Sequence, residues 1–494
     1  MINKIVEELL IYAEKNLYLN KENIVYKRNI LLDLLNQNEP YIGEIDKNYI
    51  FSLDRPDILF DELINEGVSE KLAIRIFGEL SPLPSAINEN FYSLKSIAPR
   101  DATSYFYDLC VKNYYVQKSK IDKNINSVSS NGIELSINLS KPEKNNADIK
   151  KALLDINVTY PKCAICKDNV GFKGEGKFLP RGNLRTIDFD LDGSKWFFQY
   201  SPYGYFDEHF ILVKDEHTPM KLSDENIKSL FLFIKQFPHY VIGSNSDLPI
   251  SGGSILTHEH FQGGKHIFPI MKRNYLEKYK FEDTNDVDIY KLDWFASTLV
   301  VAGKEHEKVF DVSKKIIRFY ENYSDENIGL ISKDKEQHNS VTLLLQYIDN
   351  EYRLFIVFRN NIVNEQYPDG VFHAHKEYHI IKKEGIGLIE EGGRFILPAR
   401  LERQFKQIKD IILNNYSFEE YTKKYPDMVD FKDFIDLVKN YYDGSNLDNV
   451  LNEVTGKYCE NILRNTSVFK NDKQGNDAFN AFIKKLGLTK CEKE

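Results

Sequence analysis

Between two glycine pairs the chain reads Gly252-Gly253-Ser254-Ile255-Leu256-Thr257-His258-Glu259-His260-Phe261-Gln262-Gly263-Gly264. On a strand from Ser254 to Gln262 alternate residues share a face, so His258, His260 and Gln262 point one way, Glu259 and Phe261 the other. Neighbours along that face lie roughly 6 to 7 Å apart. Such a row suits a nucleophilic imidazole with a metal ligand on one side and an amide donor on the other, and the glycines let backbone approach a phosphate closely. The same residues also fit two ordinary core or solvated histidines, and spacing alone does not choose.

The second chemical signal is Cys163-Ala164-Ile165-Cys166, which follows Tyr160-Pro161-Lys162. A tight thiolate pair grips one zinc ion, forms a redox couple, or simply sits buried. His217 and His258 would complete a Cys₂His₂ set suited to tetrahedral zinc, with His209 as the rival for the third position.

These residues need rigid elements to hold them. Trp196 to Tyr200 and His209 to Val213 read as strands, with Asp192-Gly193 as a hairpin turn. A helix starts at the N-cap Ser223, carries Ile227, Leu230, Phe231 and Ile234 on its apolar face, and stops at Pro238. Ile133, Leu135, Ile137 and Leu139 alternate as a half-buried strand does, and Ser340 to Tyr347, Tyr352 to Phe358 and Phe395 to Pro398 are further strand candidates. Ile5, Val6, Leu9, Leu10, Ala13 and Leu17 recur at helical spacing. The expected organisation is α+β: a helical region over 1–115, two α+β units over 116–264 and 265–400, and a helical region over 401–494.

Composition excludes several classes of function. A chain of 494 residues has the core for roughly two to four domains. Its 65 basic and 74 acidic residues give 65 − 74 = −9, so no global basic field grips a nucleic-acid backbone, although a local phosphate pocket stays allowed. The 5 cysteines fit a reducing compartment better than a disulfide framework, which makes the cytoplasm the default. The N-terminus lacks the pattern of a signal peptide, and the apolar stretches fall short of the ~20 residues a bilayer crossing needs.

Six motifs, in order, carry a family resemblance: Ile137 to Lys144, Tyr160 to Cys166, Phe198 to Tyr203, Phe237 to Tyr240, Gly252 to Gly264 and Leu397 to Arg400. Together they are similar to the class II, bacterial type of galactose-1-phosphate uridylyltransferase, in the histidine-triad superfamily. The resemblance implies two histidine-triad-like units with largely antiparallel sheets. It implies a ping-pong reaction in which His260 takes UMP from UDP-glucose, releases glucose 1-phosphate, and passes UMP to galactose 1-phosphate to give UDP-galactose. Gln262 matches the glutamine that hydrogen-bonds the transferring phosphoryl group. Arg181, Asn183 and Arg185 resemble a segment near the nucleotide, and Asn245, Gly253, Ser254 and Arg400 are further candidates for substrate contact. Lys265, Lys272, Arg273 and Asp247 are weaker candidates.

The resemblance also favours Cys163, Cys166, His217 and His258 as the zinc ligands, over His209. His373, His375 and His379, with Glu277, resemble a second metal region of the related class I enzymes, although Arg359-Asn360-Asn361 stands where a further histidine is expected. Glu259 replaces the class I proline between the two histidines, and alternation predicts that it faces away from phosphorus. The implied partners are nucleotide sugars and hexose 1-phosphates, with neither nucleic acid nor membrane, and a homodimer is left open. Rival readings are a related nucleotidyltransferase or phosphorylase acting on an ADP-sugar or dinucleoside polyphosphate, and a non-catalytic zinc-stabilised nucleotide-binding module.

Overall fold

The helical spacing at the N-terminus folds as read: α1 (Ile2–Asn16) buries Ile5, Val6, Leu9, Leu10 and Ala13 along one side. A computed structural model describes residues 2–140, 160–253, 255–284, 286–383 and 385–492. Helices continue through α2 (Glu70–Leu80), α3 (Pro84–Lys95) and α4 (Pro99–Lys112). Ser69 caps α2 by accepting from the Leu72 N–H, while α3 and α4 each begin on a proline, whose missing N–H costs nothing in a first turn. Among the described residues no helix is long and apolar enough to cross a membrane.

The chain packs as two units. The first comprises Met1–Lys123, Lys144–Pro219 and Thr257–Gly264, and the second Asn124–Glu143, Met220–Leu256 and Lys265–Glu494. In the first unit four strands follow the helices: β1 (Ile187–Leu191), β2 (Ser194–Tyr200), β3 (Phe210–Lys214) and β4 (His260–Gly264), paired antiparallel in that order. Asp192 and Gly193 join β1 to β2 with φ of 56° and 84°, the left-handed pair that matches strand twist in a two-residue hairpin.

The second unit holds an antiparallel sheet. Its strands run in the spatial order Thr489–Lys490, Tyr275–Lys280, Val287–Leu292, Thr298–Gly303, Glu351–Asn360, Asn339–Ile348 and Val241–Ser244. Helix α5 (Asp224–Gln236) begins at the Ser223 cap and buries the four apolar residues read from its spacing. Helix α6 (His306–Glu321) buries Val309, Val312, Ile316 and Ile317, and α7 (Arg400–Leu413) and α8 (Leu447–Thr466) supply the helical C-terminal part. The architecture is therefore α+β with largely antiparallel sheets and helical ends.

Two local expectations need correction. The strand expected around Ile133 to Leu139 exists as Glu134–Asn138, but all of its residues are buried rather than alternate ones. It lies between an antiparallel strand, Ile125–Val128, and a parallel one, Arg394–Pro398, with α8 packed against it. The expected strand over Ser254 to Gln262 begins only at His260. Gly252 turns at φ +111°, and a Cβ there would come within 2.4 Å of the Ile386 carbonyl oxygen, so the chain bends before it can extend.

Glu134 shows what such burial costs a charge. It accepts from His266 Nε2 at 2.8 Å and Arg394 Nη1 at 3.0 Å, with Lys272 Nζ at 3.5 Å. Burial alone would raise its carboxyl, but the bonds and charges of His266 and Arg394 outweigh it and hold the group at about 2, against 4.5 when free. A depressed carboxyl stabilises the fold above its unfolded value and loses that contribution as pH falls from 4.5 through about 2. Glu134→Gln is expected to destabilise by about 3 kcal/mol at pH 7, and by progressively less below pH ~4.5, in urea titrations across that range. An unchanged midpoint at pH 7 would refute it.

Candidate active site and metal centre

Strand β4 is fixed by its apolar residue. Phe261 is fully buried and stacks on Trp196 with ring centres 5.0 Å apart, so a one-residue slip would expel it and turn every other side chain over. In the observed register Leu212 faces Phe261, Val213 faces His260 and Ile211 faces Gln262. His260 and Gln262 therefore share the face opposite Phe261. Gly264 ends the strand where a Cβ would meet the Phe206 ring at 2.6 Å and the Asp207 carbonyl at 2.8 Å.

His260 is 5% exposed, and its Nδ1 lies 2.8 Å from the carbonyl oxygen of His258. A carbonyl only accepts, so Nδ1 carries the proton and Nε2 keeps a free lone pair. Burial lowers the pKa of the ring below its usual 6.5, against the opposing hydrogen bond to the His258 carbonyl. A neutral imidazole with a committed tautomer is a nucleophile at neutral pH.

His258 turns its ring to a second task. Its Nε2 donates to the Lys214 carbonyl at 2.8 Å, which leaves Nδ1 bare, 3.3 Å from Cys163 Sγ and 3.6 Å from Cys166 Sγ. His217 Nδ1 lies 3.0 Å from Cys166 Sγ, and the two sulfurs are 3.3 Å apart. All four ligand atoms fall within 4.8 Å of one another. A tetrahedral metal with bonds of about 2.0 to 2.3 Å spaces its ligands about 3.3 to 3.8 Å apart, close to what is seen. The cysteine turn is held by Asn169, whose side chain donates to the carbonyls of Cys163 and Cys166, each at 2.9 Å. Burial and the adjoining Cys163 push the Cys166 thiol up to about 12, so thiolate forms there against a cation rather than against water. Cys163, Cys166, His217 and His258 thus make a buried group able to hold a metal ion.

His209, the rival ligand, lies elsewhere: its Nε2 is 3.2 Å from Gln262 Oε1. It sits just before β3, opposite the end of β4, where the strand pairing carries it away from the cysteines. Glu259 is buried at 1% exposure, and its backbone joins the loop after β3, donating to the Thr218 carbonyl and accepting from the Lys214 N–H.

Two sequence profiles cover most of the chain. Residues 21–219 match the N-terminal domain of galactose-1-phosphate uridyl transferase and residues 233–439 match its C-terminal domain. The chain is 36% identical to a galactose-1-phosphate uridylyltransferase of Clostridium acetobutylicum over 98% of its own length and 99% of that protein's. The chain belongs to the galactose-1-phosphate uridylyltransferase family. A second uridylyltransferase, from Staphylococcus saprophyticus, is 36% identical over 94% of this chain and 96% of its own. The solved yeast Ap4A phosphorylase overlaps 64% of this chain and 90% of its own at 11% identity and a TM-score of 0.31, too slight to carry an argument.

The described candidate substrate contacts read from the sequence each have partners within the fold. Arg185 is 6% exposed, and its guanidinium donates to the carbonyls of Gly78, Pro82, Gly182 and Leu184, tying its loop to α2. Asn183 exchanges side-chain-to-carbonyl bonds with Asn113, at 2.9 and 2.8 Å. Arg181 keeps its guanidinium nearer solvent, 5.8 Å over the Tyr115 ring. The remaining contacts lie in the second unit. Asn245 accepts from the Leu388 N–H at 2.7 Å, Gly253 packs so that a Cβ would strike Leu256, and Arg400 bonds to Gln404 and the His379 carbonyl. Ser254 lies outside the described residues.

The second histidine cluster is not on a strand but around a short 3₁₀ turn, Lys376–Tyr378. His375 and His379 each direct Nε2 to a backbone carbonyl, of Val371 and Ala374, while Glu277 pairs with Lys490 and Tyr279. Among the described residues the only metal-type group is that of the first unit. What sequence reading missed was backbone and support: the His258 and Lys214 carbonyls, and Asn169. An asparagine three residues past a CxxC motif was the one legible hint.

Proposed function

We propose that this uridylyltransferase moves UMP from UDP-glucose to galactose 1-phosphate by two displacements at His260. The supporting observation is the Nδ1 bond from His260 to the His258 carbonyl, which leaves Nε2 as the attacking atom. In the first step an Nε2–phosphorus bond forms at the α-phosphorus and the bond to the bridging oxygen breaks, so the β-phosphate leaves as glucose 1-phosphate. Positive charge on the uridylylated ring is shared with the carbonyl through Nδ1–H. In the second step a phosphate oxygen of galactose 1-phosphate attacks the same phosphorus, the Nε2–phosphorus bond breaks, and UDP-galactose leaves as the imidazole of His260 is regenerated. Covalent capture divides one hard displacement into two easier ones.

Gln262, on the same face, donates its amide to the non-bridging oxygens as charge grows on them. Arg181 is the proposed phosphate contact of the first unit, because its planar fork offers paired donors. The metal proposed for the four-ligand group is zinc, suited to two sulfurs and two imidazole nitrogens. Held by four protein ligands it would have no open position, and it would tie together the cysteine turn, the turn after β3 and the approach to β4.

Mixing the enzyme with UDP-glucose and no acceptor tests this reading. One glucose 1-phosphate should be released per chain in a burst, with none from ADP-glucose. Release from ADP-glucose at a similar rate would favour the adenylyl-transferring relatives instead, and binding without any release would favour a non-catalytic module.

A further inference from the structure

We propose that His209 is a positioning residue for Gln262: its Nε2–H holds the amide oxygen and so turns the amide NH₂ outward as the donor to the reacting phosphoryl group. The proposal rests on the reading of Gln262 given above. A glutamine amide has two ends of nearly equal shape and opposite hydrogen-bonding sense, and only the NH₂ end helps a phosphoryl oxygen. Something must choose the end. Gln262 is flanked by Phe261 and two glycines and has a flexible side chain, so its own strand does not make that choice.

His209 has the fixity to do so. It is 3% exposed, with the Phe206 ring centre 4.6 Å away and Tyr205 stacked at 5.2 Å. Its backbone is held at both ends, with the N–H donating to the Phe206 carbonyl and the carbonyl accepting from the Ser201 N–H. One ring nitrogen, Nε2, faces Gln262 Oε1 at 3.2 Å, while Nδ1 is buried with no hydrogen-bond partner. A buried N–H without an acceptor is rarer in native structures than a buried acceptor without a donor, so the proton sits on Nε2. With that tautomer the amide oxygen faces the histidine, because the reversed amide would press N–H against N–H. Burial also holds the ring at about 4, so it is neutral and in this one form across the physiological range.

The experiment is a double-mutant cycle read on the glucose 1-phosphate burst. His209→Phe keeps an aromatic ring between Tyr205 and Phe206 and removes the donor. It is expected to slow the burst by about tenfold or more with KM for UDP-glucose nearly unchanged, since the lost bond acts on the transition state. His209→Gln, which restores an N–H, should recover part of the rate. Gln262→Ala alone is expected to slow the burst about 10²-fold, and adding His209→Phe to it should cost nothing further. An equal penalty in both backgrounds, or no penalty in the wild-type one, overturns the proposal. If Gln262→Ala leaves the burst intact, the reading of Gln262 fails first and the proposal fails with it. Should His209→Phe not fold, His209→Leu carries the same comparison.

Discussion

His260→Ala is expected to form no covalent adduct with UDP-glucose and to lower turnover by roughly 10⁴- to 10⁶-fold, the range seen when an enzyme's nucleophile is removed. Intact-mass measurement after mixing should show wild-type protein heavier by one UMP and the variant unchanged. The effect is large because the ring's reactivity comes from a single arrangement: a buried imidazole whose Nδ1 proton is committed to the His258 carbonyl. Along β4 no other side chain on that face offers a nucleophile, since Gln262 is an amide and Phe261 points away. The alanine variant should keep its thermal midpoint within a few degrees, because the lost contacts are those of one side chain at the end of a strand. A UMP adduct on His260→Ala would move the nucleophile elsewhere and end the proposal.

The second large effect concerns the metal group. Purified protein is expected to carry one zinc ion per chain, and Cys166→Ser to lose most of it, measured by elemental emission after dialysis. Chelation should lower the wild-type thermal midpoint. A ligand held at a thousand times its dissociation constant stabilises the native state by about 4 kcal/mol, which is what a chelator would take away. Activity should fall with the metal, by way of His258. Its ring faces the cysteine sulfurs while its carbonyl holds the proton of His260, so loosening the ring disturbs the tautomer of the nucleophile. Wild-type protein with no bound metal and a midpoint indifferent to chelator would refute the zinc assignment.

Much of this was visible in the chain itself. The alternation of His260, Phe261 and Gln262 placed an imidazole and an amide on one face, and burial of Phe261 against Trp196 enforces that register. Asp192-Gly193 and the Ser223 cap located a hairpin and a helix because those residue types have a local reason to be there. The arginines were not so legible. Arg181 and Arg185 look alike in sequence, yet one guanidinium is buried among four carbonyls beside α2 and the other lies over Tyr115 near solvent. His258 was placed by strand alternation, but it precedes the strand, and a carbonyl from β3 aims it.

The sequence by itself determined the chemistry available: two thiols and two imidazoles able to hold a metal, a further imidazole, and an amide two residues on. Those follow from residue type and local spacing, which the chain carries wherever it folds. The tertiary structure alone decided which nitrogen of each ring is free. That depends on backbone carbonyls brought up by the pairing of β3 with β4 and by the loop that precedes β4, and a carbonyl's direction is a property of the fold that no side chain spells out.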